Sequence, residues 1–184
     1  EVLNELVELG IIRSIGLSND TAWGIMKFLE IAKKKSFSKI VSVQNPYSLL
    51  NRIYEINMSE IAEIENVKLL AYSPLGFGVL TGKYIKNPPK SSRLSLWNRF
   101  DRYSNKNSKD ATIKYVEIAK KYDLTPTQLA LAFVNQQPFV ASNIIGATNL
   151  DQLRENIESI NIKLDQDILE EIESVQLNQP NPAP

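Results

Sequence analysis

The chain has 184 residues, and its equal numbers of acidic and basic side chains give no formal net charge, which excludes a bulk preference for nucleic acid. Hydrophobic residues make up 43% of the sequence, and a soluble chain of this length buries roughly 70% of its unfolded surface. Cysteine and histidine are both absent, which excludes disulfides and removes the commonest metal ligand and general base. We therefore expect a cytoplasmic protein without a metal site.

The first 35 residues predict a helix, a strand and a second helix. Glu1–Leu9 has a helical spacing of apolar residues that ends at Gly10, and it lacks the charged and apolar regions of a signal peptide. Ile11–Leu17 is a predicted strand. The following Ser18–Asp20 supplies N-cap groups for a helix that ends in Lys33–Lys35, where cations suit the helix dipole.

Strands and helices then alternate along the chain. Ile40–Gln44 is a predicted strand that ends in polar residues before Pro46, and Glu55–Glu65 is a predicted short helix. A third strand is predicted at Val67–Tyr72. This order predicts βαβ units and a parallel sheet with right-handed crossovers. No apolar run is long enough to span a bilayer, so we expect no membrane contact.

The third strand leads into a loop rich in glycine, within the segment VKLLAYSPLGFGVLTGKY at Val67–Tyr84. The strand ends at Ser73, since Pro74 has no N–H for a sheet ladder, and three glycines and Lys83 follow. Backbone amides in such a loop can approach a phosphate closely, which predicts a nucleotide site. An ordinary loop after a buried strand explains the same pattern and stays open.

A long loop is predicted at residues 84–107. It contains Pro88-Pro89, and its basic side chains outnumber its single acidic one, Asp101. Its aromatic residues also permit a less favoured alternative, in which Trp97, Phe100 and Tyr103 stack on nucleic-acid bases.

The last third of the sequence predicts two helices, a fourth strand, two more helices and a tail. Asp110–Tyr122 is a predicted helix, and Thr125 begins the next one with a capping box. The fourth strand is predicted at Asn143–Ala147, and a helix follows from Thr148-Asn149. The last helix is predicted at Asp165–Leu177, and residues 178–184 are expected to form an extended, poorly ordered tail.

The helix after the fourth strand carries polar residues near its start. Gln152, Glu155 and Asn156 share one face at i, i+3 and i+4, and Leu153 and Ile157 are predicted on the core side. A helix N-terminus after a strand is a place where a nucleotide binds. An ordinary amphipathic helix also has a polar face, and the pattern alone favours that reading.

Four strands with polar carboxyl ends predict an α/β fold that is half of a (β/α)₈ TIM barrel. The segments GIIRSIGLSN, VSVQNPYSLL, LLAYSPLGFGVLTGKY and IIGATNLDQLRENI resemble successive signatures of the aldo-keto reductases. The resemblance covers nearly the whole chain and is strongest towards the bacterial oxidoreductases and potassium-channel beta subunits of that superfamily. It implies one domain at residues 1–184, formed by the fifth to eighth βα units and the C-terminal helices of an NADPH-binding oxidoreductase.

The resemblance also implies a cofactor site for NADPH. Ser18, Asn19 and Gln44 would hold the nicotinamide carboxamide, and Tyr72 would stack on its ring. The residues implied at the phosphates are Ser73, Pro74, Leu75, Gly76, Lys83 and Arg93. Those implied at the adenosine end are Gly146, Thr148, Gln152, Glu155 and Asn156.

One part of the family pattern is absent. The aspartate, tyrosine, lysine and histidine of the family's catalytic tetrad lie in the first half of the barrel, and this sequence has no histidine. We do not expect Tyr47, Tyr54 or Tyr72 to act as the catalytic acid, so the chain alone should be inactive. It begins at Glu1 without a methionine, as expected of a processed protein or an excised fragment.

Three hypotheses follow. The first is the cofactor-binding half of a reductase of aldehydes or ketones, whose partners are a small carbonyl substrate and either an N-terminal half-barrel or a second copy of the chain. The second is a non-catalytic pyridine-nucleotide-binding module that resembles a channel beta subunit. The third is half of another phosphate-binding barrel, such as a sugar-phosphate isomerase, against which Gln44, Tyr72 and the GATN segment weigh.

Overall fold

A computed structural model describes residues 1–86, 92, 94 and 102–184, so the predictions for Arg93, Trp97 and Phe100 lie outside the described residues. In chain order, the elements are α1 (Val2–Glu8), β1 (Ile15–Ser18), α2 (Ala22–Lys35), β2 (Ile40–Pro46), α3 (Tyr54–Ile64), β3 (Lys68–Tyr72), a 3₁₀ helix (Gly76–Thr81), α4 (Lys106–Lys121), α5 (Pro126–Asn135), β4 (Val140–Ile144), α6 (Leu150–Glu158), a 3₁₀ helix (Ser159–Asn161) and α7 (Gln166–Asn178). None of the helices in these ranges is long and apolar enough to cross a bilayer.

The four strands form one parallel sheet in the order β1-β2-β3-β4. The predicted α/β fold with a parallel sheet is therefore confirmed. Within the described residues, β1 pairs only with β2, and β4 pairs only with β3. The carboxyl ends of all four strands consequently lie along one edge of the sheet, which we call the carboxyl edge.

The two faces of the sheet differ in burial because side chains alternate along each strand. Val43, Leu69 and Ala71 lie on one face, are fully buried and belong to the same hydrophobic core as residues of the helices. The neighbouring positions Gln44 and Tyr72 lie on the other face and are exposed or partly exposed. The helices therefore cover one face, and the other face carries the polar side chains.

Strand β1 starts four residues later than predicted at Ile11–Leu17. The amides of Ile11 and Ile12 both donate to the carbonyl of Leu6, and Gly10 adopts a left-handed conformation with φ of +68°. These bonds close the end of α1. Two residues of the predicted strand are thus used to terminate the preceding helix.

Strand β4 is displaced towards the N-terminus from the predicted Asn143–Ala147. Its pairing with β3 begins at Val140, which lies opposite Leu69, and the amide of Leu69 donates to the carbonyl of Phe139. The Gly146 carbonyl instead accepts a hydrogen bond from the Asn156 side chain. The residues after Ile144 therefore belong to the loop that leads into α6.

Side-chain N-caps set the first residue of helices α4 and α5. Helix α5 has the predicted capping box, since Thr125 Oγ1 accepts from the Gln128 amide and Gln128 Oε1 accepts from the Thr125 amide. Helix α4 begins at Lys106 rather than at the predicted Asp110, because the Asn105 side chain accepts from the Ser108 amide and caps the helix there.

The prediction of which side of α6 faces the core is wrong. Leu153 and Ile157 are exposed, Ile157 by 57%, and the buried residue of this helix is Asn156. Helix α6 follows β4, which is an outer strand of the described sheet. Its apolar side therefore has no neighbouring element among the described residues.

The tail at residues 178–184 packs against the domain, so the prediction of poor order is wrong. The amide of Ala183 donates to the Leu50 carbonyl over 2.9 Å. The Asn105 side chain donates to the Pro182 carbonyl over 2.9 Å. Ala183 is fully buried and belongs to the hydrophobic core, so this part of the tail has a fixed place in the domain.

A cluster of charged side chains joins the loop after β2 to three helices. Arg52 is only 11% exposed at its side chain and donates two hydrogen bonds of 2.7 Å to the carboxylate of Glu55 in α3. It donates a third, of 2.8 Å, to Glu173 in α7, and its guanidinium lies 5.2 Å from the ring centroid of Phe133 in α5. Tyr47 also donates to Glu55, over 2.5 Å.

Replacement of Arg52 should destabilise the fold strongly. Arg52→Leu leaves Glu55 partly buried without its cation, which we expect to lower the free energy of unfolding by about 2–4 kcal/mol. Lys114→Ala is the matched control, since the Lys114–Glu117 pair is solvent-exposed and should contribute less than ~1 kcal/mol. Urea denaturation measures both, and equal losses would contradict the role of the cluster.

The two outer strands of the described sheet each pair on one side only, which predicts the association state of the isolated chain. We expect it to dimerise, aggregate or remain partly molten rather than form a rigid monomer, because β1 and β4 leave backbone groups open to pairing. Sedimentation combined with near-ultraviolet circular dichroism measures this. A monodisperse monomer with sharp tertiary signals would show that the chain protects both edges by itself.

Candidate functional site

The ends of β1 and β2 bring three predicted site residues together. Ser18 lies opposite Gln44 in the register of the sheet, and the Asn19 amide donates to the Gln44 carbonyl over 2.9 Å. Asn19 has a φ of +53°, a left-handed conformation that asparagine tolerates better than most residues. All three side chains are exposed at the carboxyl edge.

Tyr72 joins this group from the end of β3. Its hydroxyl donates to Asn19 Oδ1 over 2.7 Å, and Asn19 Nδ2 donates to Ser18 Oγ over 3.1 Å. This chain of hydrogen bonds crosses β2 and links the ends of β1 and β3. We call Ser18, Asn19, Gln44 and Tyr72 the amide cluster.

The segment after β3 forms a tight turn, which we call the glycine turn (Ser73–Gly78). Ser73 and Gly76 have φ of +55° and +54°. The Gly76 amide donates to the Ser73 carbonyl over 2.8 Å, and the Gly78 amide donates to the Leu75 carbonyl over 2.9 Å. These two amides are used within the turn, so they are not open to a phosphate as the sequence suggested.

Two buried side chains enclose the glycine turn. A Cβ placed on Gly76 would lie 3.1 Å from Tyr103 Cδ1 and 3.3 Å from Leu50 Cδ1, so this position admits only glycine without a shift. The Tyr103 ring also packs edge-on against Phe77, with centroids 5.0 Å apart. Burial raises the pKa of the Tyr103 hydroxyl.

Neither of these neighbours is predicted from the sequence. Leu50 has no local pattern that marks it as a contact of the turn. The alternative in which Tyr103 stacks on nucleic-acid bases is wrong for this residue, because it is only 2% exposed.

Lys83 lies beside the turn. A Cβ on Gly78 would lie 3.0 Å from both Lys83 Cε and Nζ, so the missing side chain leaves room for the lysine. Its ammonium group is 5.1 Å from the ring centroid of Tyr84, and the side chain is exposed. Lys83 thus places a cation next to the glycine turn, as the sequence predicts.

A second group of polar residues lies at the start of α6. Gln152 Oε1 accepts hydrogen bonds from the amide and the hydroxyl of Thr148, both over 3.0 Å. The Gln152 amide donates to the Asn149 side chain, which caps the helix. The predicted residues Thr148 and Gln152 are therefore in direct contact.

Glu155 and Asn156 have different surroundings although the sequence places them on one face. Asn156 is buried and donates to the Gly146 carbonyl over 3.2 Å, so it holds the loop that precedes α6. Glu155 accepts a hydrogen bond of 2.5 Å from the hydroxyl of Thr125 in α5. Sequence analysis identified Thr125 only as a helix cap, because the two residues are 30 positions apart.

The two groups lie along the same carboxyl edge, since Tyr72 at the end of β3 pairs with Ile144 at the end of β4. The edge offers amide, hydroxyl and ammonium groups. Tyr47 and Tyr54 are buried, and burial raises the pKa of Tyr54 to about 12. Tyr72 is partly exposed, and its hydroxyl donates to Asn19 Oδ1. No group of potential metal ligands occurs in the part of the chain that the structure describes.

Comparison with known proteins gives a consistent family. The model of the Aldo/keto reductase family matches residues 1–177. Protein tas of Escherichia coli (strain K12) is 50% identical over 100% of this chain and 54% of its own length. A putative voltage-gated potassium channel subunit beta of Schizosaccharomyces pombe is 32% identical over 87% of this chain and 49% of its own length.

A third relative is an oxidoreductase by name. The NADH-specific methylglyoxal reductase of Escherichia coli (strain K12) is 31% identical over 89% of this chain and 48% of its own length. The chain thus spans about half the length of the relatives that it matches. Given the family match over residues 1–177, the chain belongs to the aldo/keto reductase family.

Proposed function

We propose that this chain is the cofactor-binding half of an oxidoreductase that reduces aldehydes or ketones to alcohols with NADPH. The observation that carries the proposal is the hydrogen-bonded amide cluster, in which Tyr72 and Asn19 connect the ends of β3 and β1. Members of this family use nicotinamide cofactors. The four described strands would be the fifth to eighth of a (β/α)₈ barrel.

The amide cluster suits a carboxamide. A nicotinamide carboxamide has one acceptor oxygen and two donor hydrogens, and side-chain amides and hydroxyls offer the complementary groups. Ser18, Asn19 and Gln44 are all exposed at this edge. The Tyr72 hydroxyl is held by Asn19, which fixes the position of its partly exposed ring for contact with the nicotinamide.

The glycine turn and Lys83 suit the phosphates. Tyr103 and Leu50 fill the space that a Cβ on Gly76 would need and so hold the turn in place, while the amides of Gly76 and Gly78 are used within it. Lys83 adds a cation beside the turn. The adenosine end would lie against the start of α6, where Gly146, Thr148, Gln152, Glu155 and Asn156 are clustered.

The chemistry would be divided between two parts of the protein. Bound NADPH would supply a hydride to the carbonyl carbon of the substrate. The residues described here would bind and orient the cofactor. We assign proton transfer to none of them, since the chain has no histidine, Tyr47 and Tyr54 are buried, and the Tyr72 hydroxyl donates to Asn19. Proton transfer to the alkoxide would therefore depend on four further βα units.

The proposed preference for NADPH over NADH depends on Lys83 and on Arg93, which lies outside the described residues; Lys83 is the residue tested. A charge-assisted bond to the 2′-phosphate contributes ~1.5–3 kcal/mol, so Lys83→Ala should weaken NADPH binding roughly ten- to hundredfold and NADH binding much less. Fluorescence titration of the chain, alone or completed by a half-barrel, measures both.

The matched control is Lys86→Ala, which removes an exposed lysine of the same loop and should affect both cofactors little. Equal affinity of the wild type for NADH and NADPH would contradict the preference.

A further prediction concerns turnover. The isolated chain should not oxidise NADPH in the presence of aromatic or aliphatic aldehydes above the buffer rate, because it lacks the proposed proton donors. Loss of absorbance at the reduced-nicotinamide band measures this. Steady turnover by pure, tag-free protein would show that a residue of this chain transfers the proton.

A further inference from the structure

We propose that the C-terminal residues Asn181–Ala183 act as a clamp that positions the glycine turn. The clamp fixes the backbone segments that carry Leu50 and Tyr103, the two side chains that enclose Gly76. Its residues lie far from both segments in the sequence. The inference rests on the proposed function in one respect, which is that the glycine turn meets the phosphates of NADPH.

The first enclosing side chain is Leu50. Its backbone carbonyl accepts a hydrogen bond of 2.9 Å from the Ala183 amide, and Ala183 and Leu50 are both fully buried. Leu50 Cδ1 lies 3.3 Å from the position that a Cβ on Gly76 would occupy. The tail therefore fixes the backbone that carries one wall of the turn.

The second enclosing side chain is Tyr103. The Asn105 side chain donates to the Pro182 carbonyl over 2.9 Å and to the Arg102 carbonyl over 2.7 Å. The Ser108 hydroxyl donates to the Tyr103 carbonyl over 2.9 Å. Asn105 thus ties the tail to the segment on both sides of Tyr103.

The tail is itself anchored to the cluster of charged side chains around Arg52. Asn181 Oδ1 accepts a hydrogen bond of 2.6 Å from the Arg52 amide, and Arg52 is held by Glu55 and Glu173. Asn181 adopts a φ of +48°, which turns the chain towards Leu50. The clamp therefore connects the charged cluster to both walls of the glycine turn.

The glycine turn needs such support. Gly76 has no side chain with which to fix its own conformation, and its φ of +54° is one of several that glycine adopts easily. The walls formed by Leu50 and Tyr103 restrict it instead. Asn181–Ala183 act through these two side chains, so they are positioning residues rather than binding residues.

Two variants test the clamp. Asn105→Asp keeps the oxygen that accepts from the Ser108 amide and caps α4, but it loses the donor to both Pro182 and Arg102. Deletion of residues 181–184 removes the same contact from the other side and leaves the bond from Asn105 to Arg102 in place. Asn178→Ala is the control, since this side chain bonds to Ser174 at the end of α7 and touches neither wall.

Hydrogen exchange followed by mass spectrometry is the first measurement. Both variants should speed amide exchange in residues 73–82, where the turn amides are hydrogen-bonded, and leave α2 and α6 unchanged. Asn178→Ala should not speed it. Unchanged exchange in residues 73–82 would overturn the clamp. Faster exchange in Asn105→Asp but not in the deletion variant would also overturn it, because only Asn105→Asp loses the bond to Arg102.

Cofactor affinity is the second measurement. Both variants should weaken NADPH roughly threefold or more, as expected when a contact coupled to the site is lost. They should leave the affinity for adenosine unchanged, because adenosine has no phosphate for the turn or Lys83 to contact. Unchanged NADPH affinity despite faster exchange would overturn the link to the cofactor. A wild-type chain that binds neither probe would overturn the proposed function, and the exchange rates would still decide the clamp.

Discussion

The arrangement of the domain depends on the guanidinium group of Arg52. Burial alone would lower the pKa of this side chain, and the hydrogen bonds and charges of Glu55 and Glu173 more than offset that effect and raise it. Arg52 therefore stays charged, and its three side-chain hydrogen bonds of 2.7–2.8 Å fix the loop after β2 against α3 and α7. Because a largely buried charge is costly to leave unpaired, these elements cannot separate without a large loss of stability.

That constraint reaches the carboxyl edge through the same loop. The loop starts at Tyr47, whose amide donates to the Tyr72 carbonyl, and the hydroxyl of Tyr72 is in turn held by Asn19. In its middle the loop presents Leu50 to the glycine turn, and Arg52 of the charged cluster follows two residues later. The cluster therefore fixes the path of the loop that contacts both parts of the candidate site. The helices that cover one face of the sheet therefore help to position the candidate site on its carboxyl edge.

The parts of this structure that the sequence predicts are those set by local chemistry. The capping box at Thr125 and the proline that ends β3 act within a few residues, so their patterns are readable. The contact between Thr125 and Glu155 and the docking of Ala183 on Leu50 join positions far apart in the chain, and no periodicity encodes them. The error on α6 has another origin. Its apolar residues do form a stripe, but amphipathicity does not say which neighbour covers that stripe.

The exposed apolar side of α6 has a counterpart at the opposite end of the sheet. Trp23 and Phe28 of α2 are exposed beside β1, and Ile157 is exposed beside β4. Both outer strands of the described sheet thus carry an unpaired backbone edge together with an apolar surface, which is the combination that a further βα unit covers in a closed barrel. The amide cluster and the start of α6 lie along the carboxyl edge, between these two outer strands. Such units would pair the open sides of β1 and β4 and cover the apolar side chains beside them. The same addition would therefore stabilise the fold while leaving the carboxyl edge, where barrels of this kind carry their sites, open to ligands.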